Sequence, residues 1–170
     1  MLKVLLPMDD SSKLDQALRY IAMCERESKW PIEIHILHVE PRLSRYVAGK
    51  LPRDTVKRYH DDHSRQVLDP IAAAFTEADI PNKTHSVVGD PVESIVHYAN
   101  EAGISRIVMV TRARESLTEV LLGSVTAGVL QHATVPVEVV PIDPRSRLSV
   151  YARAAGAGAT ILTLVYLALE

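Results

Sequence analysis

The sequence contains one cysteine, few aromatic residues and almost no net charge. Cys24 has no partner for a disulfide within the chain and suits a reducing compartment. Aromatic residues make up 5% of the 170 residues, which argues against a surface that stacks nucleic-acid bases. A formal net charge of −2 gives no electrostatic basis for general nucleic-acid binding. We therefore expect a cytoplasmic protein of one domain that does not bind nucleic acid.

Several sequence signals are also missing. The first ten residues, MLKVLLPMDD, lack a basic region followed by an apolar segment, so no secretory signal is expected. No Gly-Lys-Ser or Gly-Lys-Thr phosphate loop occurs, and no complete Gly-x-Gly-x-x-Gly follows a strand. Ser11 and Ser12 suit helix capping, because no nucleophile elbow surrounds them. With no catalytic base evident either, we expect that the protein is not an enzyme.

Short apolar runs alternate with helical patterns along the chain. Strands are predicted at residues 2–8, 32–39, 83–88, 106–111 and 135–140. Helices are predicted around residues 14–22 and at 54–78, 92–101 and 124–132. This alternation predicts parallel crossovers and therefore an α/β, doubly wound sheet that is covered on both faces. Such sheets bind ligands at the carboxyl ends of their strands, where the strand order reverses.

The C-terminal tail differs from the rest of the chain. Residues 154–169 carry no charge, and as a helix they would span roughly 24 Å against about 30 Å of bilayer hydrocarbon. Pro141 and Pro144 indicate a linker before the tail. We predict an α/β domain at 1–142 and a linker with an apolar tail at 143–170. Packing of the tail on its own domain or on a partner subunit is favoured over membrane contact.

Four segments, in order along the chain, resemble the universal stress protein family. They are PMDDS (7–11), LHVEP (37–41), GDPVESI (89–95) and IVMVTRARESLTEVLLGSVTAGVLQHATVPVEVV (107–140). The resemblance implies a Rossmann-like, five-stranded parallel sheet in the order 3-2-1-4-5. It also implies a homodimer paired through the last strand. The tail lies outside the resemblance.

The family members that bind ATP share a loop with the pattern G-x2-G-x9-G-[ST]. Here the spacing is kept, but Val110 and Ala113 replace the first two glycines, and Gly123-Ser124 matches the end. Glycine allows a positive φ and a close backbone approach, whereas β-branched valine strongly disfavours a positive φ. The loop therefore departs from the family pattern where it would wrap the phosphates, while the helix N-terminus at Ser124 keeps the groups that hold one.

Other positions match the family pattern one at a time. The resemblance places Asp9 near the ribose and adenine, with helix capping as its structural alternative. It places the backbone of Val39 against adenine and adds the amide of Val125 to the phosphate site, although both residues also suit the core. Arg112 and Arg114 lie within the loop and offer two cations that can hold a phosphate, with plain surface charge as the alternative.

The histidines offer a weaker signal. His60 and His63 lie three apart on one helix face, which suits a metal, but their spacing indicates no third or fourth ligand. A solvated helix face without a metal is the better interpretation. His35 and His38 differ by an odd number on a strand, so they point to opposite faces, and we expect structural roles for both.

These observations favour a non-catalytic stress-response or regulatory module whose ATP binding is weakened or lost. Its working surface would then be the dimer, the basic residues between 42 and 58 that could meet a protein partner, or the tail. The alternative is a functional module that binds ATP or AMP, with Mg²⁺ as the accompanying ion. A slow ATP hydrolase is the least favoured interpretation.

Overall fold

Five parallel strands and a C-terminal antiparallel pair form one sheet in a computed structural model of the chain. The structure describes residues 1–44, 46, 49–111, 123–141, 148–155 and 159–166, with only the backbone of Ser11 and of the last two segments. The strands are β1 (Leu2–Pro7), β2 (Ile32–Glu40), β3 (Asn82–Val88), β4 (Arg106–Thr111), β5 (Val137–Pro141), β6 (Leu148–Ala155) and β7 (Ala159–Tyr166). Their order is β3-β2-β1-β4-β5-β6-β7. The predicted parallel order 3-2-1-4-5 is confirmed.

Four helices connect the parallel strands within the described part of the chain. They are α1 (Leu14–Glu27), which follows a 3₁₀ turn at Ser11–Lys13, α2 (Arg53–Glu77), α3 (Pro91–Glu101) and α4 (Ser124–His132). The start of α3 is fixed as its sequence predicts: Asp90 accepts a hydrogen bond from the amide of Glu93, and Pro91 occupies the first turn. After the last residue of α3, Gly103 has a left-handed φ of +63°, which prevents the helix from continuing.

The helices divide the core into two layers, one on each face of the sheet. On one face α1 and α2 pack on alternate residues of the strands, among them Ile34 and Ile36 of β2. On the other face α3 and α4 cover the intervening residues, including Leu37. Phe75 of α2 is fully buried in the first layer. Because neighbouring strand residues point to opposite faces, β2 sends its even-numbered side chains toward α1 and α2.

The two central strands separate toward their carboxyl ends. Strands β1 and β4 pair at two positions, Val4 with Arg106 and Leu5 with Ile107. Their later residues do not pair with each other. The ladder between β1 and β2 continues to Pro7, which pairs with Leu37. This is the position at which the strand order reverses, and in sheets of this kind the crevice that binds a ligand is expected there.

The C-terminal tail forms part of the sheet. Strand β6 pairs antiparallel with β5, and β7 pairs antiparallel with β6. The helical form considered for residues 154–169 is therefore wrong for the described residues 154–155 and 159–166. The β7 sequence, ATILTLVY, is rich in residues that favour strands, and β6 pairs with backbone groups that the edge of β5 would otherwise expose. The predicted division at 142 and 143 stays a prediction.

One consequence concerns the edges of the sheet. The outer edge of β5, at which the family resemblance implies subunit pairing, is paired with β6 of the same chain. Among the described strands, β3 and β7 are the two at the edges. None of the described helices is both long and apolar enough for a membrane crossing.

Candidate functional site

Three of the residues at which the sequence predicts a ligand, Asp9, Val39 and Val110, lie at or just after the carboxyl ends of neighbouring strands β1, β2 and β4. Asp9 follows β1, and its exposed carboxylate forms an ion pair with Lys13 one helical turn later. The capping role considered for Asp9 belongs to its neighbour, because Asp10 accepts a hydrogen bond of 2.7 Å from the amide of Ser12. The carboxylate of Asp9 therefore stays at the solvent-facing side of the crevice.

Val39 lies at the same edge of the sheet, one strand away. It is the second-last residue of β2 and pairs in register with Val87 of β3. Its side chain is half-buried and packs against the α3 and α4 layer. The backbone of Val39 thus lies beside the carboxyl end of β1, while its side chain has the core role that the sequence also allows.

Val110 is an ordinary strand residue. It pairs with Val140 of β5, and its buried side chain belongs to the α1 and α2 layer. Among the described residues, Asp79 is the one residue with a side chain that has a positive φ, so Val110 has none. The valine is therefore compatible with its backbone, because an extended backbone favours β-branched residues. Arg112 and Ala113 lie outside the described residues.

Because α4 lies between the parallel strands β4 and β5 along the chain, its N-terminus is expected at the edge of the sheet where β4 ends. Gly123 precedes the helix with φ −59° and ψ 153°, and a Cβ added there would meet no atom within 4 Å among the residues that the structure describes. Gly123 and Ser124 are exposed, and Val125 is half-buried. Helix geometry leaves the amides of the first turn without a carbonyl partner inside the helix, and the helix dipole adds positive character there. These amides can bind an anion, and the open space at Gly123 admits one.

A second polar group lies on the α2 side, at the carboxyl end of β2. The Glu40 carboxylate is within 2.6 Å of Nδ1 of His63, 3.0 Å of Nε2 of His38 and 3.7 Å of Nδ1 of His60. Nδ1 of His38 is also 2.9 Å from the carbonyl oxygen of Met8, directly before Asp9. Burial alone would raise the pKa of Glu40, but the hydrogen bonds with His38 and His63 outweigh it and lower this pKa.

This group corrects the interpretation of the α2 histidines. His60 is 8% exposed, so the solvated face expected for it is wrong, whereas Asp62 is exposed as expected. The third and fourth polar partners come from a different element, β2. The signal that could have revealed them is the spacing of His38 and Glu40, which places both side chains on one face of a strand.

A third polar group lies on the opposite face of β2, beneath α3. His35 is 2.9 Å from Glu33 and 2.7 Å from the hydroxyl of Tyr98, and it stacks on His85. The hydrogen bonds from Lys83 and His35 lower the pKa of Glu33. Burial, aided by the charge of Glu33, raises the pKa of Tyr98 to about 12. The group is distant from the crevice along β2 and supports the expected structural role of His35.

Comparison with known proteins agrees with this architecture. The family model of the Universal stress protein family matches residues 1–141. Universal stress protein MJ0577 of Methanocaldococcus jannaschii is 26% identical over 151 residues, which cover 81% of this chain and 93% of that protein. The solved structure of MJ0577 has a TM-score of 0.65 at 28% identity, and the match covers 85% of this chain and 97% of that one.

Two further solved structures share the fold. The universal stress protein of Archaeoglobus fulgidus in complex with dAMP has a TM-score of 0.59 at 19% identity, covering 82% of this chain and 98% of that chain. A universal stress protein in complex with cAMP has a TM-score of 0.54 at 22% identity, covering 84% and 98%. Since the family model spans the crevice, both helix layers and the five parallel strands, the chain belongs to the universal stress protein family.

Proposed function

We propose that the protein is a non-catalytic regulatory module that binds an adenine nucleotide, and that it binds ATP more weakly than AMP. The observation that carries this proposal is the exposed N-terminus of α4 beside the crevice between β1 and β4. One anionic group can be held there by the amides that follow Gly123 and by the hydroxyl of Ser124. The complexes of related proteins with dAMP and cAMP, each with a single phosphate, support this ligand class.

The weaker binding of ATP follows from the first two positions of the loop. Val110 is committed to strand β4 and to the core, so its Cβ occupies a place where a glycine would leave room. Ala113 adds a second Cβ to the loop. The β- and γ-phosphates of ATP would then meet fewer backbone amides of the loop at close range. The α-phosphate would keep its site at the N-terminus of α4. Arg112 would partly offset this loss through its guanidinium.

The remaining parts of the proposal concern assembly and location. We expect a cytoplasmic homodimer that pairs through the last strand of its sheet. The family resemblance implies pairing through β5, but β6 of the same chain covers that edge, so we place the pairing at β7 instead. An uncharged strand with an unpaired edge is a ready template for pairing with a second copy. Nucleotide occupancy would then alter the binding of a protein partner.

The test is calorimetric titration of the nucleotide-stripped full chain with AMP and, separately, with ATP and Mg²⁺. We expect AMP to bind with a dissociation constant in the micromolar range and ATP to bind more weakly. Ser124→Ala should weaken AMP binding by about three- to tenfold, the value of one hydrogen bond. Ser86→Ala, at an exposed position on the edge strand β3, is the matched control and should change nothing.

Gly123→Ala gives a second and steric test. Its new methyl group meets no atom of the described residues within 4 Å, and its φ of −59° suits alanine, so the fold should tolerate it while the anion loses space. Absence of binding for both nucleotides at millimolar concentration, confirmed by equilibrium dialysis, would overturn the proposal in favour of a module that has lost its nucleotide. Release of ADP from ATP at a rate abolished by Ser124→Ala would instead favour the slow hydrolase.

A further inference from the structure

We infer that His38, Glu40, His60 and His63 form a binding site for one divalent transition-metal ion of the zinc type. The four side chains come from two elements, β2 and α2, that pack face to face. One ligand atom from each of His38, Glu40 and His63 lies within 4.8 Å of the other two. The site is separate from the proposed phosphate site and uses none of its residues.

The proton positions on His38 provide the first argument. A backbone carbonyl can only accept a hydrogen bond, so the contact of 2.9 Å between Nδ1 of His38 and the oxygen of Met8 places the proton on Nδ1. In a neutral imidazole the other nitrogen, Nε2, then carries a lone pair. This lone pair faces a carboxylate oxygen of Glu40 at 3.0 Å. Either a second proton on the ring, which makes this contact a hydrogen bond, or a metal ion between the two atoms removes their repulsion.

This arrangement is the one that metal-binding histidines adopt. Their second ring nitrogen usually donates to a backbone carbonyl or a carboxylate, which fixes the tautomer and aims the lone pair at the ion. Here the Met8 carbonyl has that role for His38. Met8 directly follows β1, so the orientation of the His38 ring is set by a backbone group at the end of this strand and not by a mobile side chain.

His60 provides a second, independent argument. Its residue surface is 8% exposed, and its buried Nδ1 has no hydrogen-bond partner among the described residues. The atom lies 3.7 Å from Oε1 of Glu40, too far for a hydrogen bond and close enough for both to bind one ion. A buried nitrogen without a partner has a free-energy cost, which coordination would remove.

The distances from Glu40 suit metal coordination, but His60 faces the other carboxylate oxygen and lies outside the three residues whose ligand atoms are all within 4.8 Å of one another, so it must move to become a fourth ligand. Metal–ligand bonds of about 2.0–2.2 Å in a tetrahedron separate the ligand atoms by roughly 3.3–3.6 Å. The contacts of Glu40 with His38 and His60, at 3.0 and 3.7 Å, bracket this range. His63 lies closer, at 2.6 Å, and must move outward by about 0.7–1.0 Å. Its side chain is 44% exposed and can make that movement.

The ligand set also selects the ion. Three imidazoles and one carboxylate are borderline ligands that suit zinc and its neighbours, whereas Mg²⁺ and Ca²⁺ prefer oxygen atoms alone. Four protein ligands leave no open position for a substrate, so the site is structural in type. An ion there would fasten α2 to β2 and, through His38, to the end of β1 that leads to Asp9.

The experiment uses the nucleotide-free full chain after removal of metal with a chelator and gel filtration. Zn²⁺ is added in competition with a chromogenic chelator, and Co²⁺ is added separately as a spectroscopic probe. We expect one Zn²⁺ per chain with a submicromolar dissociation constant, and strong visible Co²⁺ bands typical of four-coordination. Zn²⁺ at 100 times its dissociation constant should raise the Tm by about 5–10 °C.

Variants identify the ligands. His63→Gln, at the half-exposed position, should weaken Zn²⁺ binding at least tenfold while the chain keeps its circular dichroism. Glu40→Gln should weaken binding further. The matched control is His97→Gln, which breaks the exposed pair of His97 and Glu101, also a histidine and a glutamate in contact. This control should bind Zn²⁺ as the parent does.

Three results would overturn the inference. They are the absence of submicromolar Zn²⁺ binding, equal weakening by His97→Gln and His63→Gln, and weak Co²⁺ bands typical of six-coordination. The first would show that protons alone hold the four side chains together. Should Glu40→Gln fail to fold, the His63→Gln titration and the Co²⁺ spectrum of the parent still decide. Because no nucleotide is present in this experiment, a failure to bind Zn²⁺ would not count against the proposed nucleotide site, and the two proposals are tested separately.

Discussion

The contact between α3 and α4 at Gly128 supports a prediction about stability. Replacing Gly128 by alanine should destabilise the parent chain and stabilise a variant that lacks the Val92 side chain. A Cβ built on Gly128 would lie 2.6 Å from Cγ2 and 3.1 Å from Cγ1 of Val92. Carbon atoms pack best at about 3.5–4.0 Å, so the overlap is about 1 Å. The Val92 side chain is β-branched and held in a helix, where it has essentially one rotamer and cannot turn away. The two helices must therefore separate if Gly128 becomes alanine.

The size of the effect follows from two opposing contributions. Overpacking of this kind costs about 1–3 kcal/mol. Replacing a glycine inside a helix by alanine returns about 1 kcal/mol through helix propensity. We expect Gly128→Ala to lower the free energy of unfolding by about 1 kcal/mol net. In a Val92→Ala background the clashing atoms are gone, so the same substitution should raise it by about 1 kcal/mol.

Urea unfolding followed by circular dichroism measures all four members of this cycle, with the m-value as a check on two-state behaviour. Gly123→Ala is the matched control, because its new methyl group meets nothing within 4 Å in the described part of the chain. It should change the free energy of unfolding by less than about 1 kcal/mol and by the same amount in both backgrounds. An effect of Gly128→Ala with the same sign and size in both backgrounds would refute the reasoning.

Three further predictions concern the core, the pH dependence and the tail. Tyr20→Phe removes the hydroxyl that donates to buried Glu138 over 2.6 Å and should lower the free energy of unfolding by about 1–3 kcal/mol in urea titrations; an unchanged midpoint would contradict this. Burial, with the nearby charges of His35 and Lys83, lowers the pKa of His85 below 6.5. The unfolded chain then binds the proton more readily than the folded chain, so the free energy of unfolding should fall as the pH drops below 6.5. His85→Gln should show less of this fall. A titration of His85 followed by NMR with a midpoint at or above pH 6.5 would contradict the prediction. Deletion of residues 148–170 should leave a folded domain that self-associates in sedimentation through the newly exposed β5 edge in place of β7, whereas an unfolded product would show that the hairpin belongs to the core.

The sequence predicts the parallel part of the fold well because its signals are local. Alternating apolar strands and amphipathic helices, a proline at the start of α3 and a glycine after it each fix an element without help from distant residues. Helix α4 has its predicted bounds, Ser124–His132. The strand order came from the family resemblance rather than from periodicity, since periodicity alone does not tell which strands are neighbours.

The tail and the polar groups were harder to predict for a physical reason. A short apolar run suits a strand and a buried helix equally, and the deciding factor for residues 159–166 is the edge of β6, which itself pairs with β5 and which the run cannot reveal. The group around Glu40 joins residues 20 or more positions apart, such as Glu40 and His63, so their contact appears only once α2 lies on β2. Helix spacing showed the pair His60 and His63 but not the strand residues opposite them.

The tight contact at Gly128 also determines which helices would move when a nucleotide binds. Helices packed this closely shift as a pair, because well-packed interiors transmit displacement rather than absorb it. A movement at the N-terminus of α4 is therefore expected to carry α3 with it, while α1 and α2 on the opposite face of the sheet stay in place. The exposed side of α3, around His97 and Glu101, then becomes the surface on which a second protein could sense whether the crevice is filled.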